Sequence, residues 1–301
     1  MIFYVYFDPS IISLANATPP LGLQLLIGIL RGFLQNCLIA EFEDFQVQEA
    51  IKEQVESLPE IYERKEIKAI FAALAKKNRF IFCLLPDYTG RKDNFACVIE
   101  QAVEALIDLI CVAQEQEHTD LPDGVEVTTF ASYQNTNFES NRSQLASNGR
   151  TWQEGDVDQG YFLDINFKKA LRFATQINVC DRLFGEKFGD NYEYTIKIMF
   201  RWLESVLKEP HQCKLVFHCQ KPDGRTDEHM RTIISSFKFG RLADLQTEIK
   251  FYQLPEDSPE THWPLPHDRF ILTDQIALQI GRGMDFLNQA VDLKFSYRET
   301  G

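Results

Sequence analysis

Residues Ile2-Phe3-Tyr4-Val5-Tyr6-Phe7 form an unbroken apolar and aromatic run that stops at Asp8-Pro9. A strand with one wet face alternates polar and apolar positions. A run with no polar position is the pattern of a strand covered on both sides, as in a parallel sheet with helices above and below it. Arg79 to Leu85 repeats the pattern and ends in Pro86-Asp87. Between and after these runs the spacing predicts helices: an apolar one over Gly22 to Gln35, more charged ones over Val47 to Leu58 and Pro59 to Lys77, and a long amphipathic one over Asn94 to Gln114 that carries Asp108. Val125 to Ala131 reads as a third strand. Strands alternating with helices predict an N-terminal α/β domain with a mostly parallel sheet over residues 1–131.

Residues 132–157 hold Asn135, Asn137, Ser140, Asn141, Ser143, Ser147, Asn148 and Gly149, the most polar stretch of the chain. It reads as a polar linker between two domains. After it the alternation restarts and predicts a second α/β domain over 158–301. Its expected elements are a helix over Phe167 to Thr175, a short strand Ile177 to Cys180, and a helix from Asp190 to Lys208. A strand over Cys213 to Cys219, a helix over Asp227 to Phe239 and a strand over Thr247 to Leu254 follow. Pro255 to Pro266 then turn the chain toward His267.

A chain of 301 residues suffices for two such domains. Its net charge of −13 is uneven: residues 1–150 carry 12 Lys and Arg against 21 Asp and Glu, and residues 151–301 carry 19 against 23. Such a field does not attract nucleic acid or an anionic membrane, so a phosphate-bearing ligand needs a local basic site. The seven cysteines are odd in number and show no Cys-x-x-Cys. Without the basic start of a secretion signal they read as reduced thiols, and the expected location is cytoplasmic. The apolar run Leu21 to Leu30 is too short to cross a bilayer, so no transmembrane segment is expected.

The densest chemistry lies in His267-Asp268-Arg269-Phe270-Ile271-Leu272-Thr273-Asp274, followed by Gln275 to Ile280 and Gly281-Arg282-Gly283. Positions i and i+2 of a strand share a face, so His267 and Arg269 are placed to meet one bound group, with Phe270 and Leu272 packing behind them. That pair suits a phosphate: imidazole attacks or donates a proton near neutral pH, and guanidinium offers a planar fork of donors. Thr273-Asp274-Gln275 reads as a turn into a returning strand. Gly281 and Gly283 leave the backbone bare for a ligand beside Arg282.

The order His-x-Arg-x4-Asp resembles the His-x-Lys-x4-Asp signature of the phospholipase D superfamily, with arginine in the lysine position. HDRFILTD…IGRGMDF is more similar still to the phospholipase-D-like C-terminal domain that accompanies microtubule-interacting-and-trafficking domains. The resemblance covers about the last 140 residues. It implies a mixed sheet with flanking helices, covalent catalysis without a metal, His267 as nucleophile or acid, Arg269 as phosphate clamp and Asp274 as the acid fixing the network. Gly281, Arg282 and Gly283 complete the phosphate site. With one copy of the motif, the implied enzyme is a homodimer that brings two His267 side chains together.

In the first half, Asp8 and Asp87 end buried strands, with Asp108, Glu41, Glu43 and Asp44 as further acids. The layout is similar to PIN-like nucleases, where such acids hold Mg²⁺ or Mn²⁺. A zinc site from His211, Cys213, His218 and Cys219 is disfavoured, because Cys213, Leu215, Phe217 and Cys219 alternate with Lys214, Val216 and His218 as one strand with a buried face. Together these readings point to a cytoplasmic phosphodiester hydrolase, a nuclease acting on nucleic acid in preference to lipid, since no apolar lid is evident. The resemblance fits a prokaryotic defence effector with partners from the same locus. Two alternatives are an inactive dimerisation module that binds phosphate or a protein partner, and a metal-dependent nuclease centred on the first domain.

Overall fold

A computed structural model of the chain describes residues 2–115, 121–152, 159–182, 184, 190–220, 227–253, 265, 268–280 and 293–298. The chain divides into two units between Ala146 and Ser147. That division falls inside the polar stretch 132–157, but little of the stretch is loose linker: it contains the end of a 3-10 turn, Phe130–Asn135, and a helix, Asn137–Asn148.

In the first unit β1 (Phe3–Phe7), β2 (Cys37–Phe42), β3 (Phe80–Leu84), β4 (Leu109–Val112) and β5 (Glu126–Thr129) form one sheet in the order β3-β2-β1-β4-β5. Every pairing is parallel. The connecting helices are α1 (Ile11–Asn16), α2 (Gly22–Asn36), α3 (Gln46–Ser57), α4 (Tyr62–Lys76) and α5 (Asn94–Gln101), with α6 (Asn137–Asn148) after β5. β1 is central and wholly buried, which is why its sequence admits no polar residue. Its rings pack edge to face, Phe3 on Phe138 at 5.1 Å and Phe7 on Phe33 at 6.3 Å.

Two expectations change here. The long helix expected over Asn94 to Gln114 ends at Gln101, the chain reverses through Leu106 at φ +60°, and Leu109 to Val112 enters the sheet beside β1. A four-residue apolar run suits a helix face or a buried strand equally, and the open edge of β1 decides between them. β2 follows α2 without a break and has no counterpart among the expected strands.

Buried charges in this unit close helix ends. Glu41, fully buried, accepts from the backbone N–H groups of Phe42, Val47 and Gln48 at 2.8–2.9 Å. It thereby caps α3, whose N-cap residue Phe45 has no capping side chain and sits at φ +64°. Arg142 of α6 donates to Gly32 O at 3.0 Å and Gln35 Oε1 at 3.1 Å in the last turn of α2, and holds Glu139 through two 2.7 Å bonds. The Tyr133 hydroxyl adds a 2.6 Å bond to Glu139.

The second unit contains α7 (Gln159–Leu163), a π turn over Asp164–Lys168, and α8 (Lys169–Leu171). α9 (Asp190–Val206) and α10 (Asp227–Ser236) follow. Its sheet runs β6-β12-β11-β10-β7-β8-β9, from β6 (Arg150–Trp152), β7 (Gln176–Cys180), β8 (Lys214–Gln220), β9 (Gln246–Tyr252), β10 (Arg269–Thr273), β11 (Ala277–Ile280) and β12 (Leu293–Arg298). β7, β8 and β9 are parallel and the remaining pairings antiparallel, so the sheet is mixed. Ile177, Val179, Leu215, Phe217, Ile249 and Ile271 make one buried face.

A Cβ added at Gly32 would meet the Arg142 guanidinium at 2.8 Å. Gly32→Ala therefore displaces a buried charge from its carbonyl and is expected to lower stability by about 1–3 kcal/mol, read as a reduced urea midpoint.

Candidate functional site

The acids expected at a metal site in the first unit do not converge. β1 and β4 are parallel with Val5 opposite Leu109. Asp108 therefore lies level with Tyr4, and its carboxylate accepts from Tyr4 N at 2.8 Å. Asp8 lies four residues farther along, roughly 13 Å away by the rise of a strand. It accepts from Ser10 N and Oγ at 2.9 and 2.7 Å and from Ala113 N at 3.3 Å, tying the ends of β1 and β4 together. Asp87 closes its own loop, accepting from Thr89 N and Oγ1, Arg91 N and Lys92 N at 2.6–2.8 Å. Those bonds, the Thr89 hydroxyl foremost, lower its pKa to about 2. Among the described residues no three His, Cys, Asp or Glu side chains gather as a metal site.

In the second unit the expected hairpin exists: β10 pairs antiparallel with β11, Arg269 opposite Ile280. His267, Gly281, Arg282 and Gly283 lie outside the described residues. Arg269 opens β10 and shares the buried face with Ile271 and Thr273, so Phe270 and Leu272 point to the opposite face instead of packing behind it. Its Nε lies 3.9 Å from Oδ1 of Asp181, a carboxylate with no exposed side-chain surface. Asp181, the residue that follows β7, is thus placed beside Arg269.

Asp274 stands at the other end of β10, five residues and roughly 16 Å along the strand. It accepts from Thr175 N and Gln176 N at 3.1 and 3.3 Å and from Thr175 Oγ1 at 2.8 Å, and so anchors the start of β7. It fixes the turn at the end of β10 opposite to Arg269.

A second cluster, without a local mark in the sequence, lies at the carboxyl ends of β7, β8 and β9, on the half-exposed face. His218 Nδ1 is 2.9 Å from the Tyr252 hydroxyl and Nε2 is 3.0 Å from Asn178 Oδ1. The Asn178 amide is oriented by donation from Nδ2 to Leu272 O at 3.5 Å. Its oxygen can only accept, so Nε2 carries the ring proton of neutral His218, and Tyr252 must donate to Nδ1. Burial lowers the His218 pKa, helped by the Lys250 charge and opposed by Glu248. Only the i, i+2 spacing of His218 and Gln220 hints at the cluster in sequence, since its partners lie 40 and 34 residues away.

Cys213 and Cys219 are buried, and burial pushes the Cys213 thiol up to about 12.

No protein-family model matches the chain, and searches of curated proteins and of solved structures return no match.

Two outcomes are expected. Asp274→Ala lowers the urea midpoint, by about 1–3 kcal/mol in stability. The His218 ring titrates by NMR below the ordinary 6.5. Because its folded pKa lies below its unfolded one, the stability it contributes is complete above the unfolded value. That contribution is lost as pH falls through the folded value.

Proposed function

We propose that the second unit binds a phosphodiester through Arg269 and hydrolyses it by a phospholipase-D-type mechanism, as a homodimeric nuclease. The observation that carries this reading is the placement of Arg269. It opens β10 beside the carboxyl ends of the parallel strands, where α/β sheets take ligands, with the buried carboxylate of Asp181 3.9 Å from its Nε. His267 precedes it by two residues, the spacing that puts an imidazole on the same side of an extended chain. The reaction would need no metal: an imidazole attacks phosphorus, the guanidinium neutralises non-bridging oxygens, and an imidazole from the second copy protonates the leaving oxygen. That second imidazole, now neutral, then takes a proton from a water that attacks phosphorus and breaks the N–P bond.

A second reading is favoured by the same carboxylate. Asp181 stands 3.9 Å from the Arg269 guanidinium and Asp274 sits at the far end of the strand, away from it, which suits an interaction module that binds a phosphate-bearing ligand or partner without turnover.

The readings separate in one series of assays on the full chain. Hydrolysis predicts cleavage of single-stranded DNA or RNA in EDTA, reduced about 10³-fold by His267→Ala and about 10²-fold or more by Arg269→Ala. Phosphate binding that is lost in Arg269→Ala without any cleavage supports the module. Cleavage that requires Mn²⁺ and disappears in Asp8→Ala refutes both and moves the chemistry to the first unit.

A further inference from the structure

The first unit holds a cleft that neither reading of the second unit uses. It lies between α3, α4 and the first residue of β3, and its volume is about 330 Å³. Pockets for small molecules start at roughly that size. Ile51 and Val55 of α3, Phe71 of α4 and Phe80 of β3 give it an apolar floor. On α4 the wall is completed by Ala72 and Ala75, both exposed, which follow Lys68 at helical spacing. A longer side chain at either alanine would fill the cleft. The apolar surface continues past it: Phe82 shares the face of Phe80 two residues on, and its ring meets that of Phe45 at 4.7 Å, with both rings exposed.

The rim decides what suits this floor. Lys52 of α3 and Lys68 of α4 both line the cleft, both are exposed, and neither has an ion pair among the described residues. Elsewhere in the unit Arg31, Lys92 and Arg142 each meet a glutamate. Two lysines against Glu56 leave the lining net positive, in a half of the chain where 21 acids outnumber 12 bases. An apolar trough edged by two unspent ammonium groups complements a ligand that is apolar along most of its length and anionic at one end. On α3 the lining runs from Gln48 to Glu56, roughly 12 Å at the rise of a helix. That length suits an extended chain better than a compact ring.

We infer that the cleft between α3 and α4 binds a medium-chain fatty acid, with the acyl chain over Phe71 and Phe80 and the carboxylate held by Lys52 and Lys68. The site is independent of the phosphodiester reading, since every residue of it belongs to the first unit.

The test is calorimetric titration of the full chain with decanoate, kept below the concentration at which it forms micelles. Decanol and an acidic amphipathic helical peptide are titrated beside it. A single decanoate is expected per chain, bound roughly tenfold more tightly than decanol because only the acid can use the two ammonium groups. Ala75→Leu keeps a good helix former at an exposed position, so α4 should stay folded while decanoate binding falls at least about tenfold. Replacing Lys52 and Lys68 together by Met should bring decanoate down to the affinity of decanol. Equal binding of decanoate and decanol by the unaltered protein, or decanoate binding that survives Ala72→Leu and Ala75→Leu combined, overturns the site. Binding of the peptide without binding of decanoate overturns it in favour of a partner helix. A dimer that Ala75→Leu dissociates, with no decanoate bound, overturns it in favour of a second copy of the chain.

Discussion

The pairing of β10 with β7, from Phe270 opposite Cys180 to Thr273 opposite Ile177, sets every side chain at the candidate site of the second unit. Strand side chains alternate, so a slip of one residue would carry Arg269 to the half-exposed face and drive Phe270 into the core. Asp274 pins this register by tying the far end of β10 to the first residues of β7, and Asp181 stands 3.9 Å from the Arg269 Nε at the near end. The acid of the motif thus serves the guanidinium at a distance, by holding the strand that presents it.

The first unit uses charge differently. Its buried Glu41 and Arg142 sit where helices leave backbone groups without partners, one at the start of α3 and the other at the end of α2. A carboxylate among three N–H groups, and a guanidinium shared between a carbonyl and a carboxylate, are satisfied without solvent. Asp8, Asp87 and Asp108 act in the same manner on loops and strand starts. The acidity that suggested a metal site in the sequence is spent on holding chain ends and turns in place.

How far the sequence could be read follows from the range of the interactions. β1, β3 and β8 were legible because their own residues carry the pattern, a solid apolar run or strict alternation. β4 was read as helix because its four residues become a strand only through the exposed edge of β1, more than a hundred positions earlier. Asp108 was grouped with Asp8 for the same reason, since the direction of β4 relative to β1 is what separates them. The half-exposed cluster depends on three strands coming together, and a single residue from each carries no local mark. Arg269 is legible from its neighbours in sequence, yet the carboxylate beside it, Asp181, follows a different strand, β7.

The chain of bonds from Tyr252 through His218 to Asn178 has a direction as well as a geometry. A second proton on the imidazole would occupy Nδ1, and the tyrosine oxygen would then have to receive a hydrogen from the ring instead of giving one. Its own hydrogen would swing outward, so acidification inverts the polarity the cluster presents to its surroundings without moving a heavy atom.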